Sequence, residues 1–214
     1  MKVIAVSGYK GSGKDTVANY LVKEHSFKRE AFADKLKNMV ADTYKIPYAS
    51  VYEQNLKELP LLEYPVESKD KFTAAIHDIL KGEFAELEGK LYWTPRALCI
   101  LEGSIKRAVN SSYWVESVIS SIKSTRAYES YANDVCGANG ISDKFVISDL
   151  RYKSEVEQLR AAFGKELVTV RINRFDSSPS TDASERDLDD YEFNEVIDNK
   201  GTLEELFQKI NKII

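Results

Sequence analysis

Cysteine, proline and excess positive charge are all scarce in this sequence, and each scarcity closes off a class of protein. Two cysteines in 214 residues, Cys99 and Cys136, offer neither a disulfide framework nor zinc-ligand spacing. That usage suits a reducing cytoplasm. No apolar run approaches the ~20 residues that cross a bilayer, so no membrane partner is expected. The first apolar run is also far too short for a signal peptide. Lys and Arg number 30 against 34 Asp and Glu, a net charge of −4. A broad basic surface for nucleic acid is therefore not expected, and basic residues should gather in one pocket. No internal repeat is visible. The five prolines are unevenly spread, with Pro47, Pro60 and Pro65 close together. With 43% hydrophobic and 30% charged residues, the composition is that of a single globular domain over 1–214.

What is present begins at the first residues. Val3 to Val6 is a short β-branched run that reads as a buried parallel strand. Gly8, Gly11 and Gly13 then punctuate a turn, and an amphipathic helix follows from about Lys14. Strand, glycine loop and helix in that order make a phosphate cradle. Loop amides point inward, and the helix N-terminus adds about half a positive charge. Gly8, Lys10, Gly11, Ser12, Gly13, Lys14, Asp15 and Thr16 are the candidate nucleotide-binding residues, with Lys14 able to reach the β- and γ-phosphates. One position departs from the usual loop: Asp15 stands where a Ser or Thr hydroxyl normally meets magnesium, and the hydroxyl comes next, at Thr16. A glycine loop that merely turns a strand into a helix is the bland alternative. The strand before, the lysine in place and the helix after weigh against it.

Along the rest of the chain, periodicity predicts helix over 14–25 with Val17, Leu21 and Val22 inward, then a weak strand over 28–33. A second helix follows, with Asp34 as its N-cap and Leu36, Met39 and Val40 on one face. Residues 46–71 read as an irregular insertion, with a helix over 70–80 that leaves His77 partly exposed. Thr94-Pro95-Arg96 starts a helix, Thr as N-cap and Pro at the first position. Its apolar side is Leu98, Ile100, Leu101 and Ile105, Cys99 is packed, and Gly103 loosens or ends it. Arg96 falls in the first turn, where a cation opposes the helix dipole, and so is a candidate for function. Residues 112–123 form the next helix, with Tyr113, Trp114, Val118 and Ile122 buried, and 124–143 a solvent-facing helix end and loop.

Strand 144–149 delivers Asp149 and then Arg151 at its carboxyl end, where open α/β sheets bind ligands. The next helix carries a capping box, Ser154 to Glu157. Strand 167–172 leads to Arg171 and Arg174, and 173–193 reads as a disordered loop or a lid. Glu195 to Asp198 is a fifth strand. Thr202 and Glu205 then box the start of a last helix with Leu203, Leu206, Phe207, Ile210 and Ile213 inward. Five strands separated by helices predict an α/β, three-layer α/β/α fold with a five-stranded parallel sheet and the first strand central.

The chain resembles the deoxynucleoside monophosphate kinases of tailed bacteriophages, adenylate-kinase-like members of the P-loop kinase superfamily. The resemblance rests on the segments Ser7 to Thr16, Ala31 to Lys37, Thr94 to Arg96 leading to Arg107 and Tyr113-Trp114, Ile147 to Arg151 with Glu155, Asp182 to Glu185, and Asp198 to Leu206. Two segments depart from the family pattern: Leu101-Glu-Gly-Ser104 replaces a Leu-Gly-Thr-Glu type, and Asp182 stands at a usual His. The resemblance implies a P-loop kinase fold with a helical acceptor-binding insertion at about 34–123 and a lid at about 173–193. It implies transfer of the ATP γ-phosphate to a deoxynucleoside monophosphate, with Mg²⁺ as cofactor. Asp15, Thr16 and Asp149 are then the metal candidates. Asp34, Lys37, Arg96, Arg107, Trp114, Asp149, Arg151 and Glu155 are candidates for the acceptor, though burial competes with base stacking for Trp114. Lys14, Arg151, Arg171 and Arg174 are candidates for the transferring group. A phage-encoded enzyme of this kind would work in host cytoplasm, alone or as a homodimer. Two rival readings stand beside it: a phosphomevalonate-kinase-like enzyme, and a P-loop nucleotide-binding module without transfer activity. The sequence holds no Asn-Lys-x-Asp guanine reader, which argues against a GTPase-like switch.

Overall fold

The computed structural model of the chain describes residues 1–66, 80, 83–136, 143–174 and 186–214. Two compact units emerge: Met1–Phe32 together with Val115–Ile214, and Ala33–Trp114. The first holds a parallel sheet of β1 (Lys2–Ser7), β2 (Lys28–Glu30), β5 (Lys144–Ile147), β6 (Leu167–Asn173) and β7 (Glu195–Asp198). Their order is β2-β5-β1-β6-β7, so β1 is central, as expected. Ser7 on β1 lies beside Arg171 on β6 in register.

Alternation along the strands sends two sets of side chains to opposite faces. Ile4, Val6, Val146, Val170, Ile172 and Ile197 form one core with Val17, Ala18 and Leu21 of α1 (Lys14–His25) and Leu206 and Ile210 of α7 (Leu203–Asn211). Val3, Ala5, Phe145 and Ile147 are fully buried on the other face. There the buried residues of α5 (Tyr113–Cys136) are Val115, Val118 and Ile122, and those of α6 (Lys153–Phe163) are Val156, Leu159 and Phe163. Each such side chain contributes about 1.5–3 kcal/mol by burial. The expected three-layer α/β/α arrangement is thus borne out.

Several boundaries differ. β2 stops at Glu30 and α2 (Phe32–Tyr44) begins two residues later. Asp34 is therefore in the first turn of α2 rather than its cap. The Phe32 amide donates instead to Asp149 Oδ1, 3.0 Å away, so a carboxylate from the end of β5 replaces a local cap. α5 runs on to Cys136, well beyond the expected end at 123. No glycine or proline breaks it before Gly137, and Glu129 on it is paired with Lys28 of β2. The start of α6 is closed by Glu155, whose Oε2 accepts from the Arg151 and Tyr152 amides at 2.9 and 3.0 Å, rather than by Ser154 and Glu157. The Thr202–Glu205 box is present as expected, both bonds at 3.3 Å. Val22, Ile105 and Leu203, expected inward, are exposed.

The second unit contains most of α2, α3 (Tyr48–Tyr52) and α4 (Pro95–Val109). Val40, Ala41, Ile46, Val51 and Leu98 make its core, with Leu36 and Met39 against it. Thr94 Oγ1 accepts from the Ala97 amide at 3.0 Å, the expected cap of α4. Gly103 does not end this helix. It is buried, and a Cβ there would come 3.2 Å from Leu36 Cδ2, so the glycine serves close packing. A hairpin absent from the sequence expectations joins β3 (Ala85–Leu87) to β4 (Lys90–Tyr92). Its two-residue turn, Glu88-Gly89, has positive φ at both positions, the geometry that matches hairpin twist. The expected region 34–123 extends past this unit into α5. The expected helix over 70–80, apart from Leu80, and His77 lie outside the described residues. So do the glycine-containing loop after α5 and residues 175–185 of the expected lid.

Candidate active site

The loop between β1 and α1 is shaped by glycines that cannot be replaced equally. At Gly8, φ is +147°, and a Cβ would lie 2.4 Å from the Ile172 carbonyl oxygen and 2.5 Å from Ser12 Oγ. At Gly13, the left-handed N-cap of α1, a Cβ would meet Asn199 Nδ2 at 2.8 Å. Gly11, φ +80°, faces open space. The Ser12 amide donates to Tyr9 O at 3.1 Å and tightens the turn. Asn199 Nδ2 donates to Ser12 O at 2.9 Å, and its own amide donates to Asn173 O at 2.7 Å. Asn199 thus braces the loop from the end of β7. It lies in a segment the resemblance covered, but nothing in the pattern marked it as a site residue.

Lys14 Nζ donates to Gly8 O at 2.5 Å and Tyr9 O at 2.8 Å, folding its ammonium over the loop. No side chain caps α1. The first-turn amides of a helix have no intrahelical acceptor, and the positive end of the helix dipole lies among them. Ser12 Oγ is buried without a partner among the described residues. A glycine-shaped turn, an uncapped 12-residue helix and a lysine at its first position fit a polyphosphate.

Around the loop the structure adds a residue that sequence reasoning missed. Arg29 of β2 donates from Nη2 to Asp15 Oδ1 at 2.8 Å and from Nε to Ser148 Oγ at 3.1 Å. Asp15 is therefore paired, with its side chain 75% exposed, and Thr16 is half-buried beside it. No group of three or more His, Cys, Asp or Glu that could hold a metal occurs among the described residues. Mg²⁺ on a nucleotide needs only one or two protein oxygens, so a hydroxyl or carboxylate here is enough.

Arg171 is nearly buried. Nη2 donates to Asp189 Oδ1 at 2.8 Å and Nη1 to Ser7 Oγ at 3.2 Å, with Cζ 4.8 Å from the centre of the Tyr9 ring. Lys10, Arg151 and Arg174 are exposed. The described end of the expected lid is not loose. Leu188 is buried, Lys153 Nζ pairs with Asp190 at 2.7 Å, and the Lys153 amide donates to Asp187 Oδ2 at 2.7 Å.

In the second unit, Lys37 Nζ lies 3.5 Å from Asp34 Oδ1 and 4.6 Å from the centre of the Tyr52 ring. Arg96 sits between two carboxylates, Glu58 and Glu83, each at 3.1 Å, and its amide donates to Lys57 O at 2.9 Å. Burial, and then the neighbouring charges of Lys37 and Arg96, hold the Lys57 ammonium below its usual pKa. Lys37, Lys57 and Arg96 are thus near neighbours, set among the carboxylates of Asp34, Glu58 and Glu83, and Lys57 had no signal in the sequence. Arg107 is exposed in the last turn of α4, where a cation suits the dipole. Trp114 is only 4% exposed. It is a packing side chain, edge-on to Tyr113 at 4.8 Å, with little ring face for a base.

A model of the deoxynucleotide monophosphate kinase family matches residues 2–64. The deoxynucleotide monophosphate kinase of Enterobacteria phage T4 is 26% identical to the chain over an alignment covering 100% of this chain and 99% of that protein. The resemblance carried by the motifs is borne out by both findings. Among solved structures, shikimate kinase from Aquifex aeolicus is 12% identical at a TM-score of 0.42, covering 99% of this chain and 94% of that one. Dephospho-CoA kinase from Campylobacter jejuni is 14% identical at 0.41, covering 99% and 98%.

Proposed function

We propose that this chain, similar throughout its length to a phage deoxynucleotide monophosphate kinase, is an ATP-dependent phosphotransferase that converts a deoxynucleoside monophosphate to the diphosphate. The observation that carries the reading is the loop from Gly8 to Lys14, shaped by positive-φ glycines and opening onto an uncapped helix. When bound, Mg²⁺ would supply charge neutralisation between the phosphates. Phosphoryl transfer asks the protein mainly for positioning and charge stabilisation.

The chain's residues divide that work. Amides of the loop and of the first turn of α1 bind the donor phosphates, and Lys14 exchanges two loop carbonyls for phosphate oxygens. Thr16, with Asp15 and Asp149, would hold the metal directly or through water, and Arg29 fixes the direction of Asp15. Asp34, Lys37, Arg96 and Arg107 would hold the acceptor monophosphate, whose oxygens compete with Glu58 and Glu83 for Arg96. A guanidinium fork suits a phosphate bidentately. Arg151 and Arg174, both exposed, are the candidates for stabilising charge on the transferring group, a role worth on the order of 10³–10⁵ in rate in related systems. Arg171 is less suited to direct contact, being engaged with Asp189 and Ser7. Glu155 would act by holding the Arg151 backbone. Action in host cytoplasm follows if the chain is phage-encoded.

A coupled ADP-release assay across dTMP, dGMP, dCMP, dAMP and phosphomevalonate tests the reading. ADP release with at least one deoxynucleotide and none with phosphomevalonate is expected. Release with phosphomevalonate alone, or ATP binding without turnover on any acceptor, would replace it with one of the rivals.

A further inference from the structure

One carboxylate oxygen outside the expected site residues gathers a residue of the loop and a neighbour of it. Asp189 Oδ1 accepts from Tyr9 Oη at 2.7 Å and from Arg171 Nη2 at 2.8 Å. Tyr9 belongs to the phosphate loop, and its backbone carbonyl accepts from both the Ser12 amide and Lys14 Nζ. Tyr9 is thus tied inward to the loop by its backbone and outward to Asp189 by its side chain. The Arg171 guanidinium stacks over the Tyr9 ring at 4.8 Å and faces Phe193 at 5.8 Å. A guanidinium this deeply buried needs a counter-charge, and Asp189 provides it.

Asp189 is itself fixed by its neighbours in sequence. Leu188 before it is fully buried, and its own amide donates to Arg186 O at 3.0 Å. Asp187 and Asp190 on either side are both held by Lys153 at the start of α6. Residues 187–190 thus run as a strap tied to α6 through Lys153 and to the phosphate loop through Asp189.

Building on the nucleotide-site reading above, we infer that Asp189 is a positioning residue for the donor nucleotide, holding Tyr9 and Arg171 so that the phosphate loop is set before the phosphates arrive. A preformed loop saves ordering cost on binding, so loosening it weakens the donor selectively. The acceptor candidates Asp34, Lys37, Arg96 and Arg107 belong to the other unit.

Tyr9→Phe, which keeps the ring and removes one hydroxyl, and Asp189→Asn, which keeps the shape and removes the charge, test this. For each, calorimetry with ATP and Mg²⁺ gives the donor Kd, and steady-state kinetics give the two KM values. Donor Kd and ATP KM are expected to rise about 5-fold in Tyr9→Phe and more in Asp189→Asn, with acceptor KM within twofold. Donor Kd within twofold of the unmodified protein in Tyr9→Phe, with only a lowered Tm, would overturn the inference, and that variant decides if Asp189→Asn does not fold. Absence of ATP binding by the unmodified protein would instead overturn the nucleotide-site reading itself.

Discussion

Replacing Gly8 by alanine should damage the protein far more than the same change at Gly11, and the structure sets the scale. At Gly8 the new methyl would sit 2.4 Å from the Ile172 carbonyl oxygen, a backbone atom inside the parallel ladder that cannot swing aside. The residue would also have to hold φ at +147°, a conformation L side chains rarely adopt. Backbone strain of about 1–3 kcal/mol and overpacking of about 1–3 kcal/mol then act together. At Gly11 the methyl would meet nothing within 4 Å, so only strain at φ +80° remains, about 1 kcal/mol. In a domain of this size 1 kcal/mol shifts Tm by about 2–4 °C. Thermal unfolding of Gly8→Ala should therefore show a fall of about 10 °C, or loss of soluble protein, against about 2–4 °C for Gly11→Ala. Calorimetry on whatever remains folded should find ATP binding lost in the first and weakened in the second. Equal Tm values for the two would show that the loop is not packed against β6 as described, and the account of the cradle would fail with it.

Three other outcomes are expected. Lys14→Ala should lower kcat by on the order of 10²–10³ while Tm stays within a few degrees, since the bonds of its ammonium to the Gly8 and Tyr9 carbonyls are local to the loop; retained turnover with an intact fold would count against the loop. Arg96→Ala should raise the acceptor KM about tenfold and leave that for ATP unchanged, with little loss of stability because its two ion pairs are exposed; equal effects on both KM values would remove Arg96 from the acceptor site. Burial pushes the Cys99 thiol up to about 11, so the native chain holds that proton more tightly than the unfolded one. The stabilisation is complete below the ordinary thiol pKa of 9.0 and lost as pH rises toward 11. In a Cys136→Ser background, iodoacetamide at pH 8 should label Cys99 about a hundredfold more slowly than a free thiol, and labelling at the free rate would refute the burial.

The sheet was readable because its strands are short, β-branched and separated by helices, each with its own local signal. Val3 to Val6, Phe145 to Ile147 and Leu167 to Ile172 carry their burial in their composition. The boundaries that differed depend on partners distant in sequence. α2 begins at Phe32 because Asp149 takes its first amide, and no local residue announces that. α5 outruns its apolar stripe because nothing breaks it, and periodicity reports burial rather than helix length. Val22, Ile105 and Leu203 sit at the edge of stripes whose width the pattern cannot fix. The β3–β4 hairpin was missed for a different reason: Glu88-Gly89 is a weaker turn signal than Asn-Gly or Asp-Gly.

The site divides along the same line. Glycines and Lys14 announce themselves by spacing, because a phosphate cradle is a local backbone shape. The residues that hold the cradle in place are recruited from other segments and carry no spacing rule: Arg29 on Asp15, Asn199 on Ser12, Asp189 on Tyr9. Each bonds a side chain or a carbonyl of the loop or of the first turn of α1 rather than a loop amide, while the loop's own Ser12 amide closes on Tyr9 O. Bonds of this kind shape a loop from outside without occupying the amides that an anion would need. The supports come from β2, from the end of β7 and from the strap before it, and Arg171, first assigned to catalysis, joins them through Asp189 and Ser7.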